Sequence, residues 1–91
     1  MNCRTFEYIV AVQETGSIRQ AARQCNVTVG TISGQITRLE GYLGVTIFKR
    51  RAHPAELEDG AKELFEKMKT VVENLRLIRQ LVTGPYSGKC R

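Results

Sequence analysis

Residues 17–38, SIRQAARQCNVTVGTISGQITR, decide the fold. Ser17 opens a short helix, with Gln20 three residues on in capping-box spacing. Ile18, Ala21, Ala22 and Cys25 fall on one face, and the two alanines let a crossing helix come close. Asn26-Val27 makes a tight connection, and Thr28 stands as N-cap of a second helix. That helix is predicted from Val29 to Leu43, because Val29, Ile32, Ile36, Leu39 and Leu43 repeat at three and four residues. Its local propensity is poor, since β-branched residues and glycines dominate Thr28 to Thr37. The helical period nevertheless holds, strict alternation is absent, and Gly44 is a natural stop. Two short helices joined tightly, the second amphipathic, make a helix-turn-helix.

Upstream, residues 3–15 read as a helix ended by Gly16. Phe6, Ile9, Val10 and Gln13 mark one stripe, while Tyr8 and Val12 widen it. So broad an apolar surface predicts contact with more than one neighbour. Downstream of Gly44 the pattern changes. Val45, Ile47 and Phe48 suggest a short strand running into Lys49-Arg50-Arg51. Ala52-His53-Pro54 is a turn, and Ala55-Glu56-Leu57 can return as a second strand, giving a two-stranded wing. From Asp59, itself the candidate cap, a helix is predicted to Val82. Its seam of Ala61, Leu64, Met68, Val71, Leu75, Ile78 and Val82 keeps heptad spacing. Phe65 and Val72 broaden that face, so the helix also packs on its own domain. Thr83-Gly84-Pro85 stops it, and the tail to Arg91 reads as flexible.

These elements predict a mostly α-helical architecture of three helices plus a short wing, followed by a long dimerisation helix. The expected organisation is a winged helix-turn-helix at 1–58, a linker helix at 59–82 and a tail at 83–91. The seam outruns the first helix, which leaves Leu75, Ile78 and Val82 for a second copy of the chain. A homodimer is expected, although no polar residue in the seam fixes a parallel or antiparallel sense.

Charge points to a partner. Of the 14 basic and 9 acidic residues, the first 53 positions hold Arg4, Arg19, Arg23, Arg38, Lys49, Arg50 and Arg51 against Glu7, Glu14 and Glu40. Most of the net charge of +5 therefore lies in the first half, which suits a polyanion there. On the second helix of the motif, the face opposite the core carries Gly30, Thr31, Ser33, Gly34, Thr37 and Arg38. Nothing on it is bulky and apolar, so a DNA major groove can admit it. Gly30-x-x-x-Gly34 could equally seat another helix, or the face could be solvated. Arg19 and Arg23 on one side and the Lys49-Arg50-Arg51 run on the other lie where phosphates would pass, which favours DNA.

Catalysis and cofactors find no support. The single His53, the unclustered acids and the three cysteines (Cys3, Cys25, Cys90) form no nucleophile–base pair, metal set or C-x-x-C motif, so no catalytic residue, metal or cofactor is expected. Cys25 reads as a small buried hydrophobe. No apolar run is long enough for a membrane span or a signal peptide, which makes the cytoplasm, in association with the nucleoid, the expected compartment.

Residues 2–61 also resemble the N-terminal domain of LysR-type transcriptional regulators. The matching pieces run from Phe6-Glu7-Tyr8-Ile9-Val10-Ala11-Val12 through Gly16-Ser17-Ile18 and Ala21-Ala22. They continue with Val27-Thr28, Ile32-Ser33, Gln35-Ile36, Leu39-Glu40, Leu43-Gly44-Val45, Phe48-Lys49-Arg50 and Leu57. Ser33-Gly34-Gln35-Ile36 with Leu39-Glu40 is similar to the peroxide-responsive OxyR branch. The resemblance implies a bacterial transcription factor that binds double-stranded promoter DNA, with the 29–43 helix in the major groove and the wing at the minor groove. It implies Thr28, Val29, Gly30, Thr31, Ser33, Gly34 and Gln35 as reading residues, with Arg38 and Arg50 near phosphates. It further implies an antiparallel homodimer through the linker helix, an inverted-repeat target, and a small-molecule effector domain outside these 91 residues. The chain departs from the family at Gln20, Val29, Gly30 and Gly34, where Arg, Gln, Pro and Arg are usual. Fewer long hydrogen-bonding side chains then reach the bases, so the target sequence need not be the family's common one. The alternatives are a non-specific nucleic-acid binder and a protein-interaction module on a winged-helix scaffold.

Overall fold

The computed structural model of the chain describes residues 2–49 and 52–83. Its elements are α1 (Cys3–Thr15), α2 (Ile18–Cys25), α3 (Val29–Leu43), a 3-10 turn at Asp59–Ala61 and α4 (Lys62–Thr83). Arg50, Arg51 and the tail from residue 84, including Cys90, lie outside the described residues.

Each of the first three helices starts on a side-chain cap. Asn2 Oδ1 accepts from the Thr5 N–H at 3.3 Å, Ser17 Oγ from Gln20 at 3.2 Å, and Thr28 Oγ1 from Thr31 at 3.1 Å. These contacts hold first-turn amides, and the Thr5 and Thr31 N–H groups also reach the carbonyls of Asn2 and Thr28 at 3.2 and 3.1 Å. The capping box at Ser17 closes differently from the sequence expectation, because the Ser17 N–H donates to Thr15 Oγ1 at 3.3 Å. The helices end at Gly16, Asn26 and Gly44, all left-handed, with φ of 76°, 59° and 73°.

α1 is the centre of the fold. Five consecutive residues, Tyr8 to Val12, are buried, and the helix packs on α2, α3 and α4. The broad apolar surface read from the sequence thus serves three neighbours. Ala21 and Ala22 are buried on α2, and Ile32, Ile36 and Leu39 are the buried face of α3. Ala61, Phe65, Met68 and Val72 complete the core from the last helix.

The segment 45–57 departs from expectation. Among the described residues the two predicted strands reduce to one antiparallel bridge, Phe48 with Leu57. Two backbone bonds of 2.8 Å flank it, Lys49 N–H to Glu56 O and Glu58 N–H to Ile47 O. Ladder extension is blocked on the return side, since Pro54 has no N–H and the Ala55 N–H goes to Gly16 O at 2.8 Å. Asp59 does not cap α4 either. It begins the 3-10 turn, whose N-cap position is Glu58 without a side-chain cap bond, and it pairs with Lys62 at 3.6 Å.

Gly16 links the two halves of the domain. A Cβ added there would meet Pro54 Cβ at 3.0 Å, at a φ of +76°. Gly16→Ala combines a left-handed backbone penalty of about 1–2 kcal/mol with a crowded contact. The expected result is a melting temperature lower by roughly 5–15 °C, read by far-UV circular dichroism.

Candidate nucleic-acid interface

On α3 the residues facing away from the core, Gly30, Thr31, Ser33, Gly34, Thr37 and Arg38, are all exposed. A Cβ at Gly34 would meet nothing within 4 Å, and one at Gly30 only Thr28 Oγ1 at 3.9 Å. The backbone of two successive turns is therefore unshielded. Val29, at the N-terminal end of the apolar stripe, is nevertheless 45% exposed and lines a groove with Ser33.

Two of the resemblance-derived residues have other attachments. The Thr28 hydroxyl caps the helix and lies 2.9 Å from Thr31 Oγ1, a contact that uses one of the two hydroxyl protons. Gln35 is half-buried, and its Oε1 accepts from Thr5 Oγ1 at 3.3 Å. That bond ties α3 to α1 and draws the Gln35 carbonyl inward, away from the outer face. The helical spacing already leaves Gln35 off the outward face, and only the family resemblance set it among the reading residues.

Cations border the face. Arg19 and Arg23 are exposed on α2. Lys49, on the same groove as Arg19, contacts Glu56 Oε2 through Nζ at 3.2 Å, and that carboxylate holds the Lys49 ammonium above its ordinary pKa. Both groups are open to solvent, so the pair contributes little to stability and Lys49 is available to exchange partners. Arg50 and Arg51 follow, outside the described residues. Glu40, read from sequence only as part of the family pattern, anchors the next segment, because its Oε2 accepts from the Ile47 N–H at 2.7 Å. This fixes the root of the 45–57 segment on α3. Between these elements lies a groove of about 570 Å³, bordered by Ile18, Arg19, Val29, Ser33, Phe48 and Lys49.

The predicted seam on α4 divides in two. Met68 is 3% exposed and belongs to the core of its own chain with Phe65 and Val72. It is therefore not on offer to a partner. Leu64, Val71 and Leu75 are half-buried, whereas Ile78 and Val82 are exposed at 56% and 39%. Leu77 and Leu81, exposed at 55% and 64%, join them on a neighbouring stripe that the heptad reading passed over. Their spacing of four was the available signal. Arg79 holds this end of α4 to α1 through a 2.8 Å contact with Glu7.

Elsewhere, burial pushes the Cys25 thiol above its ordinary pKa, as suits a packing residue rather than a nucleophile. No helix among the described residues is long and apolar enough to cross a membrane.

A three-helix core with a tight α2–α3 turn, an open second helix and bordering cations defines a helix-turn-helix protein. The chain belongs to the bacterial regulatory helix-turn-helix proteins of the lysR family, whose sequence model matches residues 3–59. It is 34% identical over 84 residues to the hydrogen peroxide-inducible genes activator of Haemophilus influenzae, covering 92% of this chain and 28% of that protein. Among solved structures, the BenM DNA-binding domain in complex with catB site 1 DNA aligns with a TM-score of 0.82 at 25% identity, over 98% of this chain and 96% of that one. Full-length OxyR of Pseudomonas aeruginosa aligns with a TM-score of 0.80 at 29% identity, over 90% of this chain and 28% of that one. The chain thus spans little more than a quarter of the length of the curated relative.

Proposed function

We propose that the chain binds double-stranded DNA sequence-specifically, as the DNA-binding part of a transcription regulator and not as an enzyme. The observation that carries this reading is the outer face of α3. It is free of bulky side chains over two turns, bordered by cations, and set on a fold shared with a domain solved on DNA. In this reading α3 enters the major groove, with Val29, Gly30, Thr31, Ser33 and Gly34 towards the bases and Arg38 towards phosphate. Thr28 and Gln35 act by holding α3 in place. The 45–57 segment works as the wing, with Arg19, Lys49, Arg50 and Arg51 at phosphates or the minor groove.

Residues 1–58 form the binding unit and 59–82 the linker helix that pairs two copies. Val71, Leu75, Ile78 and Val82 carry the contact, with Leu64 at its edge. One such module buries roughly 600–1,000 Å² on DNA, too little for tight binding alone, so an inverted repeat read by a dimer is the matching target. The working compartment is the cytoplasm, at the nucleoid. Any small-molecule response belongs to the part of a longer regulator that these residues do not cover.

Selection of bound duplexes from a random pool tests the reading. A recurrent half-site, repeated in inverted orientation, is the expected result. Uniform affinity across sequences with a steep salt slope would instead reveal a binder of phosphates alone, and no binding at all would leave the fold as a scaffold for protein contacts.

A further inference from the structure

We propose that Val29 is a specificity-determining residue that contacts the C5-methyl group of a thymine in the major groove. This rests on the DNA-binding reading above. Val29 sits in the first turn of α3 with 45% of its surface exposed, on the border of the groove between α2, α3 and the wing segment.

Its polar neighbours are hydroxyls: Thr28 and Thr31 in the first turn, and Ser33 on the same groove. Thr28 Oγ1 accepts the Thr31 N–H and faces Thr31 Oγ1 at 2.9 Å, so these hydroxyls are held at the helix start. Val29 thus offers exposed hydrocarbon beside hydroxyls that can read polar base edges. Gly30 beside it adds no side chain that could hold DNA away. The methyl of thymine is the one apolar group that unmodified base pairs display in the major groove. An isopropyl group is also well suited to meet it, because a β-branched side chain has little rotamer freedom to lose.

The test uses the duplex recovered from the random-pool selection. Each thymine of the half-site is replaced in turn by 2′-deoxyuridine, which removes the methyl and keeps the pairing. Wild-type protein is expected to lose affinity about three- to tenfold at one position. Val29→Ala should bind the parent duplex more weakly and be indifferent to uracil at that position. Because Val29 is half-exposed, the variant's melting curve should match the wild type, and the uracil series on wild-type protein does not depend on any variant folding. Sensitivity that persists unchanged in Val29→Ala, or no sensitivity at any thymine, would overturn the assignment while leaving specific DNA binding intact. Failure to recover any preferred duplex would remove the DNA reading itself, and this inference with it.

Discussion

Gly34→Glu is expected to abolish specific DNA binding while leaving the domain as stable as before or more so. The site has room, since a Cβ there meets nothing within 4 Å. Glycine is roughly 1 kcal/mol less favourable than alanine within a helix, and glutamate recovers much of that. A carboxylate at this position would also stand four residues before Arg38 on an exposed face, a pairing that supports the helix by a few tenths of a kcal/mol. The melting temperature should therefore hold or rise by about 2–8 °C.

On DNA the same side chain does harm twice. It keeps the α3 backbone from the base edges, and it puts negative charge beside phosphates while occupying a cation. A loss of about 100-fold or more is expected in a gel-shift or anisotropy titration, equivalent to some 3 kcal/mol. Gly41→Glu is the control. It has the same local space but lies seven residues further along the helix, about 10 Å along its axis, and should change affinity less than about fivefold. Equal affinity of Gly34→Glu and wild type would show that the outer face of α3 does not enter the groove. Stability and binding moving in opposite directions distinguish an interface from a solvated surface, because a merely solvated glycine has no reason to resist a better helix former.

Much of this fold was legible in the sequence because local and tertiary signals coincide. Ser17 and Thr28 are both caps and punctuation, and Gly16, Asn26 and Gly44 occupy left-handed positions where the residue type itself marks the helix end. α3 was legible despite weak propensity because Ile32, Ile36 and Leu39 keep the helical period, and burial of that face outweighs the local cost. What the sequence concealed were relations between distant positions. The Thr5–Gln35 bond spans 30 residues and ties α3 to α1. Ala55 donates to Gly16 rather than across the wing, which shortens the predicted strands to a single bridge. Met68 fits a heptad seam perfectly well by spacing, yet it is buried in the core of its own chain. Periodicity reports that a face is apolar; it does not report which neighbour covers it.

That last distinction governs the second large effect, Ile78→Glu, which should convert the proposed dimer to monomer with the domain still folded. Ala61, Phe65, Met68 and Val72 anchor the first half of α4 in the core, so a charge at Met68 would unfold the chain and say nothing of dimerisation. Ile78 is beyond that anchor and 56% exposed in the single chain, so glutamate there is readily hydrated in the monomer. In a two-fold pairing each variant brings an unpaired carboxylate into an apolar contact with Leu75, Leu81 or Val82, and symmetry doubles the penalty. At several kcal/mol per buried charge, the dimer dissociation constant should rise about a thousandfold or more, read by sedimentation velocity.

DNA binding then separates into two parts. Linkage of two modules raises the affinity for paired sites by roughly 10²–10⁴ through effective concentration. Ile78→Glu should therefore lose affinity of that order for the inverted repeat while binding an isolated half-site as the wild type does. The contrast is sharp because α4 is held to α1 along its anchored half and again by Arg79 with Glu7 at 2.8 Å. The reading face and the seam are thereby carried on one packed unit, so the spacing of the two half-sites follows from how two α4 helices pair. A variant that still sediments as a dimer and still favours the paired site would place the contact elsewhere on the chain, and the exposed apolar end of α4 would then need another partner.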